Sequence, residues 1–422
     1  VSSIYPLIRG MRDSLPREAA RLSCVETTFK DVFRKFSYEE IRIPVLESKE
    51  LFYHGLGESS DAVGKEMYSF IDRDGKELAL RPEGTASVVR ALIQNNLCYN
   101  DRPRLWYEGP MFRHERPQAG RYRQFQQLGV EAFGFDEPTI DVEIIQIGNE
   151  VFRQLGLSPL VTLKINSIGS AEARAQYREQ LVEALTPLST ELDEDSRKRL
   201  QTNPLRILDS KIPKTKELLR DAPKLRDSLS DIAKERFDDV LELLTSAGVE
   251  YTVDPYLVRG FDYYTDTVFE WVTDHLGAQD AVCAGGRYDG LVELLGGSPT
   301  PGVGFAAGID RIAKLCEQLD EPRYCAADAY LIPMEEVHRE FVNSVAQHLR
   351  CHTDLRIREH IGSGNMRNKM RWADKSSATW ALIVGDTELQ QRTVTVKWLR
   401  SDRSQLSTTV ENLVTVLQEN LE

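Results

Sequence analysis

Between Arg123 and Phe133 the chain reads RQFQQLGVEAF. A two-residue period puts Arg123, Phe125, Gln127, Gly129, Glu131 and Phe133 on one face and Gln126, Leu128, Val130 and Ala132 on the other. The second face is mostly apolar and is expected to pack inward. The first carries an arginine, an aromatic ring, an amide and a carboxylate, with Gly129 expected to leave open space between Gln127 and Glu131. Two readings fit it, the floor of a small polar pocket or the solvated outer side of an antiparallel sheet. Just upstream, Arg102, Arg104, Arg113, Arg116, Arg121 and Arg123 stand against only Glu108 and Glu115, and a guanidinium suits bidentate phosphate binding. In PGVGFAAGIDRIAKL three glycines let backbone approach a ligand. Arg311 falls there in a first helical turn, where a cation opposes the macrodipole unless an anion is near. Such a local conflict is expected at functional sites. A phosphate ligand is suggested, although neither a Walker lysine pattern nor a Rossmann fingerprint is present.

These residues need elements to hold them. A helix is expected from about Arg17 to Phe36, where Leu22, Val25, Phe29, Val32, Phe33 and Phe36 recur at three- and four-residue steps. YEEIRIPVLES then alternates as a strand, with Pro44 suggesting an edge or interface position because it cannot donate a ladder bond. LALRPEGTASVVRAL reads as strand, turn and helix, Thr85 or Ser87 being available as a cap. RPRLWYEGPMFR and RQFQQLGVEAFGF read as a hairpin joined by HERPQAGRY, a mobile, cationic tip. From about Ser170 to Ala247 the composition shifts to charged helix-forming stretches, taken as a helical insertion. Glycine-rich sequence returns in VRGFDYYTDTVFEWV and AVCAGGRYDGLVELLGG, and EQLDEPRYCAADA reads as a linker. From about Asp328 strands and helices alternate, as in an open α/β sheet of about 100 residues.

At 422 residues, with 41% hydrophobic and 28% charged, the chain is long enough for several full-sized cores. No apolar run approaches the ~20 residues that span a bilayer, and the first residues carry no secretory pattern, so a cytoplasmic protein is expected. Six cysteines without a C-x-x-C pair argue against a disulfide framework or structural zinc. The net charge of −13 repels nucleic acid overall. Residues 350–403, however, hold eleven Lys/Arg and six Asp/Glu, a local +5 that leaves −18 elsewhere. That segment reads as a solvated face unless a polyanionic partner is indicated.

Taken together, the segments resemble the histidyl-tRNA synthetase family, in its bacterial form, among the class II aminoacyl-tRNA synthetases. The likeness runs essentially end to end. Motif 1 is similar to Arg17–Leu51 with Pro44, motif 2 to FRHERPQAGRYRQF, and motif 3 to GVGFAAGIDR ending at Arg311; RGFDYY and AGGRYDGL resemble the histidine-specific signatures. The resemblance implies an α+β chain: a class II antiparallel-sheet catalytic domain over 1–169 and 251–325, a helical insertion over 170–250, and a C-terminal α/β anticodon-binding domain over 328–422, in a homodimer. It implies that L-histidine and ATP give histidyl-adenylate and pyrophosphate, and that histidine then passes to the 3′ end of histidine tRNA. No protein nucleophile is required. Magnesium is expected to accompany ATP, without a structural metal.

Carried over by position, the resemblance implies that Arg113 and Arg259 hold the α-phosphate, Arg259 standing where other class II enzymes place a metal. Arg311 and Arg121 take the outer phosphates, Phe125 stacks on adenine and Glu115 contacts the nucleotide. Glu83, Thr85 and Gln127 receive the α-amino group, while Glu131 and Tyr264 bracket the imidazole nitrogens with Tyr263 beside them. A neutral imidazole offers one donor and one acceptor, so substrates lacking that pattern leave Glu131 unpaired, a discrimination of ~10⁴ to 10⁵ without editing. The basic 350–403 stretch falls in the anticodon-binding part; its arginines and Lys375 are candidate RNA contacts. Trp372 is read as buried, with stacking on a base as the alternative.

Three positions depart from the family pattern: Asp310 for a glutamate in motif 3, Phe261 for a leucine in RGFDYY, and the looser HIGSGNMRNKM. The rival from another class is a regulatory paralogue of the ATP phosphoribosyltransferase kind, which binds histidine without charging tRNA. It lacks the anticodon domain and the key arginines that this chain keeps.

Overall fold

The computed structural model describes residues 5–57, 60–118, 120–277, 281–319 and 325–420. The chain folds as two compact units, Val1–Asp320 and Glu321–Glu422; residues 320–324, in the expected linker, lie outside the described residues.

The first unit is built on eight strands: β1 (Glu39–Glu40), β2 (Arg104–Phe112), β3 (Gln124–Phe133), β4 (Thr162–Ser167), β5 (Thr252–Val253), β6 (Thr265–Val272), β7 (Ala281–Arg287) and β8 (Gly302–Gly308). Their order across the sheet is β1-β2-β3-β8-β7-β6-β4-β5. The six longer strands pair antiparallel, and the two-residue edge strands pair parallel. The 39–48 segment does not form the continuous strand its alternation suggests. Only Glu39–Glu40 and Leu46–Ser48 pair, in different sheets, with Pro44 in the break because it has no N–H to donate.

Both faces of this sheet are covered. On one, Leu128, Val130, Phe269, Trp271 and Phe305 meet helices Pro16–Lys35 and Pro138–Gln154. The apolar stripe of Pro16–Lys35 supplies Val25, Phe29, Val32 and Phe33, and Pro16 opens the helix where its missing N–H costs nothing. The other face carries Leu105, Tyr107, Phe133 and Val268 against helices Lys49–Leu56 and Thr85–Gln94 and the helical segment after Ser170. The solvated-face reading of β3 therefore fails. Within the helical segment, Tyr177, Leu181, Leu185 and Leu219 join that second core, whereas helix Asp231–Ser246 turns Phe237, Val240 and Leu244 into the first. Its last helix thus belongs to the sheet's own core.

The second unit is a five-stranded sheet, Ile357–Glu359, Ala329–Pro333, Trp380–Val384, Thr393–Trp398 and Leu406–Thr409 across, parallel in its first three strands and antiparallel thereafter. Helices Arg339–His352 and Val410–Gln418 cover one side, and Met366–Lys375 the other. The strand Leu406–Thr409 and the short helix Asp386–Gln391 lack a clear sequence period. Trp372, read as buried, is 53% exposed on Met366–Lys375; Lys369 and Ala373 fill the inward positions instead.

Candidate functional site

A cavity of about 470 Å³ opens on the second face of the large sheet, within the size range of small-molecule sites. All twelve residues singled out from the sequence line it: Glu83, Thr85, Arg113, Glu115, Arg121, Phe125, Gln127, Glu131, Arg259, Tyr263, Tyr264 and Arg311. They come from five stretches of chain that the sheet register aligns.

Strand β3 supplies the floor. Glu131 sits on one rung with Leu105 of β2, Gly304 of β8 and, one strand further, Gly286 of β7. A Cβ at Gly304 would collide with the Glu131 carboxylate, so glycine there lets the carboxylate lie across the neighbouring strand. Thr85 Oγ1 donates to Glu131 Oε1 at 2.7 Å, and the Tyr288 hydroxyl donates to Oε2. Burial, at 1% exposure, pushes the Glu131 carboxyl up to about 8 despite those two donors. Two rungs along, the expected open space above Gly129 is filled. The ring of Tyr107 lies between Gly84 and Gly129, and a Cβ on either would collide with it. Side chains from the neighbouring strand decided that, and β3's own period does not record them.

Glu83 has a second task. Its oxygens accept the backbone N–H groups of Thr85 (2.7 Å) and Ala86 (2.9 Å) at the start of helix Thr85–Gln94. The cap of that helix is therefore Glu83, with Thr85 released toward Glu131. Gln127 is buried, and its Oε1 has no hydrogen-bond partner among the described residues. Leaving a buried acceptor unpaired costs about 1–3 kcal/mol, a debt that a ligand N–H removes.

The cations surround this floor. Arg113 is held by its Nε donating to the Pro82 carbonyl at 2.8 Å, its guanidinium 5.4 Å from the Phe125 ring centre and 5.9 Å from that of Phe261. Glu115 lies 2.8 Å from Arg121 and 3.8 Å from Arg113, so it bridges two of the arginines. Arg259 pairs with Glu270 at 3.2 Å and stacks 5.5 Å from Tyr264, while its Nε, also buried, has no hydrogen-bond partner among the described residues. Tyr263 and Tyr264 lie 4.6 Å apart, centre to centre, and burial raises both hydroxyls above the usual phenol range. Arg311, largely buried, lies against Gly120, whose φ is +71°.

Several partners were not legible in the sequence. Tyr288 belongs to AGGRYDGL, yet its link to Glu131 spans 157 positions. Asp310 accepts the Gln126 N–H at 2.7 Å and pairs with Arg12, tying motif 3 to β3. Arg199, Arg206, Asp209 and Lys211 reach the same cavity from the helical segment, whose charge pattern alone reads as solvated surface. Among the described residues no group of three or more His, Cys, Asp or Glu side chains gathers to hold a metal ion.

Residues 10–312 match the family described as histidyl-tRNA synthetase, and residues 328–420 match an anticodon binding domain. The chain is 50% identical over 413 residues to a histidine–tRNA ligase of Halorhodospira halophila (strain DSM 244 / SL1), covering 97% of each. A crystal structure of apo S. aureus histidyl-tRNA synthetase is similar at TM-score 0.78 and 32% identity, over 98% of this chain and 100% of that one. The histidyl-tRNA synthetase structure from Nostoc sp. PCC 7120, at 18% identity and TM-score 0.75 over 99% of this chain and all of that one, shares the fold.

Proposed function

The chain belongs to the histidyl-tRNA synthetase family and is a histidine–tRNA ligase, and from that premise we propose how its pocket residues divide the work. The histidine carboxylate attacks the α-phosphorus of ATP in line, the bond to the β-phosphate oxygen breaks, and pyrophosphate leaves. The terminal ribose hydroxyl of the tRNA then attacks the acyl carbon of the adenylate and AMP leaves. Arg113 and Arg259 hold the α-phosphate and offset the charge that builds there. Arg311 and Arg121 take the outer phosphates, Phe125 stacks on adenine, and Glu115 orients the nucleotide through its two arginines. Glu83, Thr85 and Gln127 receive the α-amino group; Glu131 and Tyr264 take the imidazole nitrogens, with Tyr263 alongside.

The observation that carries this reading is the pair of orphaned buried groups in one cavity, an acceptor on Gln127 and a donor on Arg259. A molecule bearing an ammonium beside a negatively charged group satisfies both. Magnesium enters with ATP on its phosphates. For the regulatory-paralogue alternative, the 328–420 match is the feature such a protein is expected to lack.

We further propose a homodimer and a cytoplasmic location. For the dimer, the three-stranded sheet of Leu46–Ser48, Ser69–Ile71 and Glu77–Leu80 leaves Leu46 and Phe70 exposed on one face, where their partners Leu80 and Leu78 also lie, a clustering suited to an interface. For the location, no helix among the described residues is long and apolar enough to cross a membrane.

Pyrophosphate exchange into ATP, with each amino acid supplied singly, tests the assignment. Exchange is expected with histidine alone and is expected to fall by roughly 10³-fold in Arg259→Ala, the scale of losing one preorganised charge at a reacting phosphate. Robust exchange in that variant overturns its role.

A further inference from the structure

Residues 8–12 run along the connection between β2 and β3 before helix Pro16–Lys35 begins. The Ile8 carbonyl accepts the Met11 N–H at 3.0 Å, and the turn this closes presents two successive carbonyls to Arg123. The Gly10 carbonyl accepts the Arg123 N–H at 2.8 Å, and the Arg9 carbonyl accepts from its Nη1 at 3.2 Å. The Arg123 carbonyl in turn accepts the Arg113 N–H at 2.9 Å. Gly10 has a φ of +87°, and a Cβ there would come within 2.6 Å of the Arg123 side chain, so this approach needs glycine.

Arg12, largely buried, then reaches two elements of the cavity wall at once. Its guanidinium lies 4.1 Å from the centre of the Tyr122 ring and pairs with Asp310 in the first turn of helix Ile309–Leu315. From behind, Glu18 in the first turn of helix Pro16–Lys35 pairs with it as well. Asp310 is buried, and its other oxygen accepts the Gln126 N–H at 2.7 Å. Tyr122 and Asp310 line the cavity, and Arg12 stands behind them, outside its lining. With its charge committed to two carboxylates, Arg12 is poorly placed to take a phosphate itself. It fixes the neighbours of residues that can: Tyr122 follows Arg121, Asp310 precedes Arg311, and Gly120 lies against Arg311. A planar guanidinium suits this task, because its face stacks on a ring while its N–H edge forks toward carboxylates.

We propose that Arg12 is a positioning residue for ATP, and that the strap of residues 9–12 sets Arg121 and Arg311 toward the outer phosphates and Arg113 toward the α-phosphate. The inference rests on the division of the pocket proposed above, and goes beyond it in naming what aims three of the four phosphate arginines. It implies a one-sided effect. The imidazole side is held by other ties, Glu131 by Thr85 and Tyr288, so losing Arg12 strikes ATP and spares histidine.

The test is pyrophosphate exchange by the full-length protein, with kcat and KM for ATP and for histidine read separately and histidine affinity read by calorimetry without ATP. Arg12→Ala is expected to lower kcat/KM for ATP by roughly 10²-fold, the scale of a misplacement near 1 Å, with histidine affinity retained. Arg12→Lys keeps a charge for Asp310 without the planar stack on Tyr122, and is expected to recover part of that loss. Asp310→Asn is expected to reproduce Arg12→Ala, and Arg12→Ala/Asp310→Asn to be no worse than the poorer single variant, since both break one link. Should Arg12→Ala fail to fold, Arg12→Lys and Asp310→Asn carry the same readouts. A wild-type kcat/KM for ATP in Arg12→Ala overturns the proposal. So do additive losses in the double variant, or equal losses for ATP and histidine, which assign Arg12 to general stability. Arg311→Ala separates the two layers: unchanged ATP kinetics there strike the phosphate assignment and this proposal with it, whereas an impaired Arg311→Ala beside a normal Arg12→Ala strikes the strap alone.

Discussion

In the amino-acid pocket proposed above, the chemistry concentrates in one carboxyl group, that of Glu131. Because burial raises its folded value to about 8, above the ordinary 4.5, the protonated form is the better-tolerated one in the empty protein. The contribution to stability is therefore fully present below pH ~4.5 and is lost as pH rises through about 8. Urea unfolding of the ligand-free protein between pH 5 and 8 is expected to show this decline, and Glu131→Gln, which carries no proton to lose, is expected to flatten it. The same variant is expected to raise KM for histidine while sparing that for ATP. Tyr288→Phe removes one of the two donors to Glu131. A loss of about 1–3 kcal/mol in histidine binding is expected, the cost of leaving a buried acceptor without its partner, read as a KM increase of roughly 5- to 150-fold with the ATP KM unchanged.

At the scale of elements, the pocket depends on strands that approach closely and on a buried clamp behind them. Gly304 on β8 leaves the room that the Glu131 carboxylate occupies. Gly304→Ala is expected to displace that carboxylate and cut histidine-dependent exchange by roughly 10²-fold, the cost of a misplacement near 1 Å, with the far-ultraviolet circular dichroism retained. Behind the sheet, Arg287 at the end of β7 pairs with Asp141 on helix Pro138–Gln154 at 2.9 Å, both fully buried, and also donates to the Phe135 carbonyl. Arg236, from the last helix of the inserted segment, approaches Asp141 to 3.7 Å. Removing Asp141 takes away the buried partner of Arg287 and leaves it only the part-exposed Asp289 at 3.3 Å, so Asp141→Ala is expected to cost about 3 kcal/mol in urea unfolding. This clamp also accounts for the last helix of the charged segment joining the sheet's core: its apolar stripe and its arginine both face the body.

At the scale of the whole molecule, the exposed apolar patch on the small sheet bears on assembly. Sedimentation is expected to give twice the 48.0 kDa chain mass, and Leu46→Asp/Phe70→Asp is expected to shift the population toward monomer, because each charge opposes burial of the face those two side chains share. The amino-acid order alone determined the kind of most of the longer elements, the faces of β3 and of helix Pro16–Lys35, and the inventory of arginines, carboxylates and tyrosines. Those properties are local: side-chain direction repeats every two residues in a strand and every 3.6 in a helix, whatever lies elsewhere. Tertiary structure decided what fills the space those faces look onto. It brought Arg113, Arg259 and Arg311 to one cavity, put Tyr107 over Gly129 and made Glu83 the helix cap. It linked Tyr288 to Glu131 and turned Trp372 outward by giving Lys369 and Ala373 the inward positions. Each of those outcomes is settled by a neighbour distant in the chain, competing for the same volume or the same hydrogen bond, and a local period carries no record of it.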